Sequence, residues 1–108
     1  MRILLDQSAP KGIARFLPEH SVETCADRGW QTLTNGDLLC TAEAAGFEVF
    51  LTADKNLRYQ QNLAGRLIAI VVLGTPQWPS VQMHISGVVD AVENAAAGSY
   101  TLVEIPRL

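Results

Sequence analysis

The chain has 108 residues, 48% of them apolar and 18% charged, which is enough to bury one core and too short for two ordinary domains. That balance excludes intrinsic disorder. Two separate cysteines, Cys25 and Cys40, exclude a disulfide framework or a Cys-rich zinc site, and a net charge of −3 argues against general salt-driven binding to nucleic acid.

In chain order, Ile3-Leu4-Leu5 predicts a first strand over Arg2 to Asp6. The sequence turns acidic there, too early for a signal-peptide core, and the longest apolar run, Leu67 to Leu73, is far below the ~20 residues of a membrane span. A cytoplasmic protein without a membrane partner is expected. Ser8-Ala9-Pro10 supplies turn chemistry, with Pro10 suited to the first position of a helix running to about Leu17. Ser21 to Cys25 alternates weakly and reads as a strand near a sheet edge. A polar loop is expected from Asp27 to Asn35, with Trp30 its one large exception. A second helix follows from Asn35 through Leu38, Leu39, Ala42 and Ala45, stopped by Gly46.

Glu48 to Thr52 and Ile68 to Leu73 read as buried strands, with a helix beginning near Asn56 between them. The connection Thr75-Pro76-Gln77-Trp78-Pro79 leads into a helix from about Ser80 to Ala97, ended by Gly98, and Tyr100 to Ile105 alternates as a final edge strand. Apolar strands alternating with helices predict a single three-layer α/β/α domain over residues 1–108, with a mostly parallel five-stranded sheet.

Ligands of such sheets collect at the carboxyl ends of the strands, where Asp6 and Asp54 follow two of the apolar runs. Strands lie about 4.8 Å apart, so adjacent strands would bring both carboxylates to one cation. A hard cation such as Mg²⁺ binds through one or two carboxylates plus waters and activates water for phosphodiester cleavage. Asp37, in the first turn of the second helix, is the candidate third acid. Each has a structural alternative: Asp6 in a turn, Asp54 as a helix cap, and Thr34-x-x-Asp37 as a capping box.

Leu4-Leu5-Asp6, Asn35-Gly36-Asp37-Leu38-Leu39 and Leu51-Thr52-Ala53-Asp54-Lys55-Asn56, in that order, resemble the PIN-like family, specifically a short bacterial branch of uncharacterised nuclease-like proteins. The resemblance covers residues 1 to about 73. It implies a Mg²⁺- or Mn²⁺-dependent ribonuclease, often the toxin of a toxin–antitoxin pair, with Asp6, Asp37 and Asp54 as catalytic metal ligands and Asn56 beside them. It also implies a sheet with the first strand central. Two positions depart from the pattern: Gln7 and Asn56 stand where relatives commonly carry acids. Both keep an oxygen that can ligate or hydrogen-bond.

Lys11, Arg15, Lys55, Arg58 and Arg66 form a candidate basic rim for an RNA backbone around that acidic centre. The polar run Tyr59-Gln60-Gln61-Asn62 is a further candidate contact with bases or a partner. Trp30 and Trp78 are either docking anchors or covers for the core's edges. Two other functions compete. One is a catalytically weak interaction module that binds an antitoxin protein or a second copy of itself. The other is a phospho-receiver-like domain, disfavoured because Asp6 lacks an acidic neighbour and no lysine follows Lys55.

Overall fold

Apolar side chains alternate across each buried strand, and the alternation builds two cores. Ile3, Leu5, Val49, Leu51, Ala69, Val71 and Leu73 pack on one side, while Leu4, Phe50, Ile70 and Val72 pack on the other. The computed structural model describes residues 1–57 and 65–106. Its strands are β1 (Arg2–Leu5), β2 (Ser21–Thr24), β3 (Val49–Thr52), β4 (Ala69–Leu73) and β5 (Tyr100–Val103). They form one sheet in the order β2-β1-β3-β4-β5, and all four pairings are parallel.

A 3₁₀ helix (Lys11–Phe16) and helices α3 (Trp78–Met83) and α4 (Ile85–Glu93) cover the first face through Ile13, Val81, Val88 and Val92. Helices α1 (Cys25–Arg28) and α2 (Asn35–Ala44) cover the second through Cys25, Leu38, Leu39 and Ala42. Phe50 is 1% exposed, and burying such a side chain contributes about 1.5–3 kcal/mol. The fold is therefore three-layer α/β/α, and its sheet is wholly rather than mostly parallel. Among the described residues, no helix is long and apolar enough to cross a membrane.

The local structure departs from the sequence reading in several places. The segment after Pro10 is a 3₁₀ rather than an α-helix, closed by bonds such as Ile13 N–H to Pro10 O. The Trp78 indole presses on its middle, where a Cβ at Gly12 would lie 2.6 Å from the ring. The expected loop from Asp27 begins inside α1, because Thr24 and Asp27 close a full capping box and Gly29 ends the turn at φ 73°. The expected helix over 80–97 is two helices. It starts at Trp78, breaks at His84, whose φ of −116° is not helical, and stops at Glu93.

The central strand is β3, not β1. After β2 the chain reverses its direction of growth across the sheet, so β1 lies between β2 and β3, and β4 and β5 add beyond β3. That reversal leaves a switch point between the carboxyl ends of β1 and β3, the place where doubly wound sheets bind ligands. Arg58, the run Tyr59-Gln60-Gln61-Asn62 and most of the helix expected near Asn56 lie outside the described residues.

Candidate functional site

At the switch point, Asp6 follows β1 and Thr52 ends β3. The Asp6 N–H continues the ladder by donating to Leu51 O at 2.9 Å, and its carbonyl accepts from Ala9 N–H at 3.0 Å, which closes a turn. One carboxylate oxygen, Oδ2, accepts from Thr52 Oγ1 at 2.7 Å and from Ser8 Oγ at 2.8 Å. Both hydroxyls are themselves fixed by backbone donors: Ala53 N–H reaches Ser8 Oγ at 2.9 Å, and Asp54 N–H reaches Thr52 Oγ1 at 3.1 Å. Each hydroxyl thus accepts one backbone N–H and has its single proton to give to Asp6, the two hydroxyl oxygens themselves lying 3.2 Å apart.

Thr52 consequently links Asp6 to the backbone of Asp54. The Asp54 carboxylate accepts from Asn56 N–H through Oδ1 at 2.9 Å, and the Asp54 carbonyl accepts from Leu57 N–H. The capping alternative for Asp54 therefore holds geometrically, and it leaves the second oxygen outside that turn. Asp6 and Asp54 are half-buried. Among the described residues neither has an ion-pair partner.

Asp37 stands apart. It is exposed in the first turn of α2, its N–H donates to Thr34 Oγ1 at 3.4 Å, and it lines neither of the hollows beside Asp6. Its position suits the helix dipole, and half of the expected capping box is present. Among the described residues, no group of three or more His, Cys, Asp and Glu side chains is arranged to hold a metal ion. The geometry joins Asp6 and Asp54 in one hydrogen-bonded chain and leaves Asp37 outside it.

Two hollows flank Asp6. One, of about 180 Å³, is lined by Asp6, Ala9, Lys11, Thr24 and Cys25. The other, of about 160 Å³, lies toward Trp30, Gln31 and Asn35. Cys25 lines both, and burial, with the nearby Asp6 charge second, pushes its thiol up to about 11. It stays protonated at neutral pH and is not a thiolate nucleophile. Gln7 donates through its side-chain amide to Gln31 O at 3.0 Å. An acid there has no proton to give that carbonyl, so the departure at Gln7 has a local structural role. The Asn56 side chain is exposed beside Asp54.

The basic rim is thinner than expected. Lys11 borders the first hollow, Lys55 lines a separate one with Gly74, Leu102 and Glu104, and Arg15 is exposed at the end of the 3₁₀ helix. Arg66 does not belong to the rim. It precedes β4 at the amino edge and pairs with Glu43 at 2.9 Å, where it also meets the Cys40 sulfur at 3.1 Å. Trp78 covers the first core, with Phe16 at 6.2 Å, whereas Trp30 packs edge-on against Phe47 at 6.0 Å and borders the second hollow.

Ser8 and Thr52 are the site residues that the sequence reading missed. Their signal was available: a hydroxyl two residues after Asp6, and another two residues before Asp54. No protein-family model, curated protein or solved structure matches the chain.

Proposed function

We propose that this protein is a PIN-like, metal-dependent ribonuclease whose Mg²⁺ or Mn²⁺ is held by Asp6 and Asp54 at the switch point between β1 and β3. The observation that carries the reading is that Thr52 bonds the Asp6 carboxylate and the backbone N–H of Asp54, while neither acid has an ion-pair partner among the described residues. Two carboxylates with water meet the needs of Mg²⁺, so the donor set fits. When bound, the ion supplies Lewis-acid polarisation of a phosphate and a more acidic water.

The chain's own groups do the positioning. Ser8 and Thr52 fix one oxygen of Asp6 and so orient the other. The Asn56 N–H does the same for Asp54. Lys11, which lines the same hollow as Asp6 without pairing with it, is the cation available to a phosphate of the RNA backbone. Asp37 enters this proposal only as a residue on the path of the RNA, and Asn56 as a neutral outer ligand. The resemblance extends the same proposal to a toxin held by a cognate antitoxin protein.

A second reading is a module that binds without cleaving, as part of a homodimer or an antitoxin complex. It is favoured by one observation: Gln7, Ser8 and Thr52 are all engaged in internal hydrogen bonds. The strand order is also that of phospho-receiver domains. The residue after β5 is Glu104, however, where that chemistry needs a cation.

Calorimetry with Mg²⁺ and Mn²⁺, alongside single-stranded RNA cleavage, separates these readings. The nuclease reading expects binding in the wild type and a loss of at least about 10-fold in Asp6→Asn and Asp54→Asn, together with loss of cleavage. Cleavage that survives both substitutions removes these residues from the mechanism. Wild-type RNA binding with neither metal uptake nor cleavage supports the binding module.

A further inference from the structure

The two outer strands of the sheet end its hydrogen bonding in different ways. On β2, Ser21 N–H donates inward to Met1 O, so the alternate residues Val22 and Thr24 turn their backbone groups away from the sheet. Thr24 N–H is then taken by Asp27 Oδ2 at 3.0 Å, and α1 begins at the next residue. That edge is closed, and the edge of β5 is not. We propose that β5 is a self-association surface, to which a second copy of this chain adds its own β5, antiparallel, about a two-fold axis at Leu102. The inference does not depend on whether the carboxyl edge cleaves RNA.

On β5 the register fixes which groups face outward. Ile70 N–H reaches Ser99 O and Gly74 N–H reaches Val103 O, both at 2.9 Å. Thr101 and Val103 therefore turn their backbone groups toward β4, while Leu102 and Glu104 turn theirs away from the sheet. Among the described residues, no hydrogen bond meets Leu102 or Glu104 on that outer side. The Leu102 side chain is 45% exposed, and Tyr100–Val103 carries no charge, no proline and no bulge. Natural sheets block their edges with such devices, as β2 does with Glu23 held between Arg2 and Arg28. A regular, uncharged strand with an open ladder is the substrate of strand addition.

Charge selects the partner and the register. About a two-fold axis at Leu102, that residue faces its own copy, apolar against apolar, and exchanges both backbone hydrogen bonds with it. Glu104 then lies across from Tyr100 of the second copy. The two Glu104 carboxylates stand about 14 Å apart along the ribbon, beyond the ~8 Å Debye length. Parallel pairing of the same edges sets Glu104 beside its own copy, as does an antiparallel pair centred on Glu104, and like charges directly opposite are destabilising. One strand pair lies at the low end of interface sizes, so the dimer is weak, with a Kd of about 10–100 µM. With the strands antiparallel, the two carboxyl edges point in opposite directions, and both switch points between β1 and β3 stay open.

Sedimentation velocity from about 5 to 500 µM protein reads the association, with circular dichroism as the check on folding. The wild type is expected to pass from monomer to dimer over that range. Leu102→Lys puts on the edge the charge that natural sheets use against pairing, at an exposed side chain, and is expected to weaken dimerisation at least about 10-fold. Met83→Lys, at a 67% exposed residue of α3, is expected to dimerise like the wild type. Register is read by cross-linking in a Cys40→Ser background, which leaves buried Cys25 as the only native thiol. Leu102→Cys is expected to give a disulfide-linked dimer under oxidised glutathione, because hydrogen-bonded antiparallel partners have Cα atoms about 5.5 Å apart. Glu104→Cys is expected to give none.

A wild type that stays monomeric at the highest concentration overturns the proposal, as does a dimer left intact by a folded Leu102→Lys. A dimer dissociated by Met83→Lys and not by Leu102→Lys uses another surface and overturns it too. Cross-linking through Glu104→Cys as readily as through Leu102→Cys overturns the antiparallel register. If Leu102→Lys fails to fold, the two cysteine variants still decide. RNA cleavage by a strictly monomeric wild type sinks the dimer and leaves the nuclease reading intact. The expected dimer in a protein that cleaves nothing does the reverse.

Discussion

Acidic residues in two regions of this molecule are treated in opposite ways. On the α1–α2 side of the sheet, Glu23 is forked by Arg28 and reached by Arg2 at 3.4 Å, and both arginines also cover the Phe47 ring, at 5.1 and 4.5 Å. Glu43 accepts from Arg66 at 2.9 Å and from the N–H groups of Leu67 and Ile68. At the carboxyl edge, Asp6 and Asp54 meet hydroxyls and N–H groups, with no cation among the described residues. Negative charge neutralised in place is architecture. Negative charge held in position by hydroxyls and N–H groups alone can still take a counter-ion from outside, which is what the proposal for the carboxyl edge asks of it.

The sharpest way to break this contrast is Glu43→Ala. Its carboxylate is 18% exposed and Arg66 is 17% exposed, so removal leaves a largely buried guanidinium and two N–H groups without their acceptor. The expected cost is about 3 kcal/mol, between an exposed pair and a fully buried one. Thermal denaturation should show Tm falling by more than about 10 °C. Acid carries the same signature. Burial pushes the Glu43 carboxyl up, but Arg66 and the two N–H groups pull it down further, so the folded value lies below the ordinary one. A lowered folded value stabilises the protein fully above the unfolded carboxylate range and loses that contribution as pH falls through the folded value. The wild type should therefore lose more stability below about pH 4.3 than Glu43→Ala does. Parallel pH profiles would mean that the pair does not hold the fold.

The two tryptophans extend the contrast. Trp78 belongs with the architecture, since its ring occupies the space above Gly12 and half-covers the first core. Gly12→Ala sets a Cβ 2.6 Å from that ring, and overpacking of this kind costs about 1–3 kcal/mol. Urea unfolding reads it directly. A neutral Gly12→Ala would mean that Trp78 moves freely and is itself the exposed anchor.

Much of this was legible in the sequence, and the parts that were not share a cause. The alternation in Ile3-Leu4-Leu5 and the continuous Ala69–Leu73 run carry strand identity locally, so layers and strand count follow from them. Strand order depends on which way the chain turns after β2, which no short segment encodes, and so the expected central β1 gave way to β3. The break at His84 was hidden because Val81, Ile85, Val88 and Val92 keep helical spacing across it. Asp6 and Asp54 were readable from strand ends. That Asp37 is exposed and takes no part in their hydrogen-bonded chain was not, because it depends on how its side chain is placed at the start of α2.

A smaller effect tests the carboxyl edge itself. Gln7→Glu replaces a donor to Gln31 O with a carboxylate, which loses one hydrogen bond and sets like charge beside Asp6. The expected destabilisation is about 1 kcal/mol, read by urea unfolding. The same substitution adds a third acid to the site, so calorimetry should show tighter Mg²⁺ binding. Destabilisation without tighter binding would place Gln7 with the architecture alone and would weaken the case for a cation beside Asp6.

The smallest expected change in stability is the most discriminating. Asp54→Asn keeps an oxygen to accept from Asn56 N–H, so the turn after β3 survives, and it removes one of two uncompensated charges. Stability should stay within about 0.5 kcal/mol of the wild type. Metal binding should nevertheless be lost. Glu43→Ala is expected to do the opposite, with stability falling while each folded molecule keeps its site at the other edge of the sheet. If Asp54→Asn instead unfolds the protein as Glu43→Ala does, Asp54 is a cap and nothing more. The carboxyl edge then loses its claim to be different from the paired acids on the α1–α2 side.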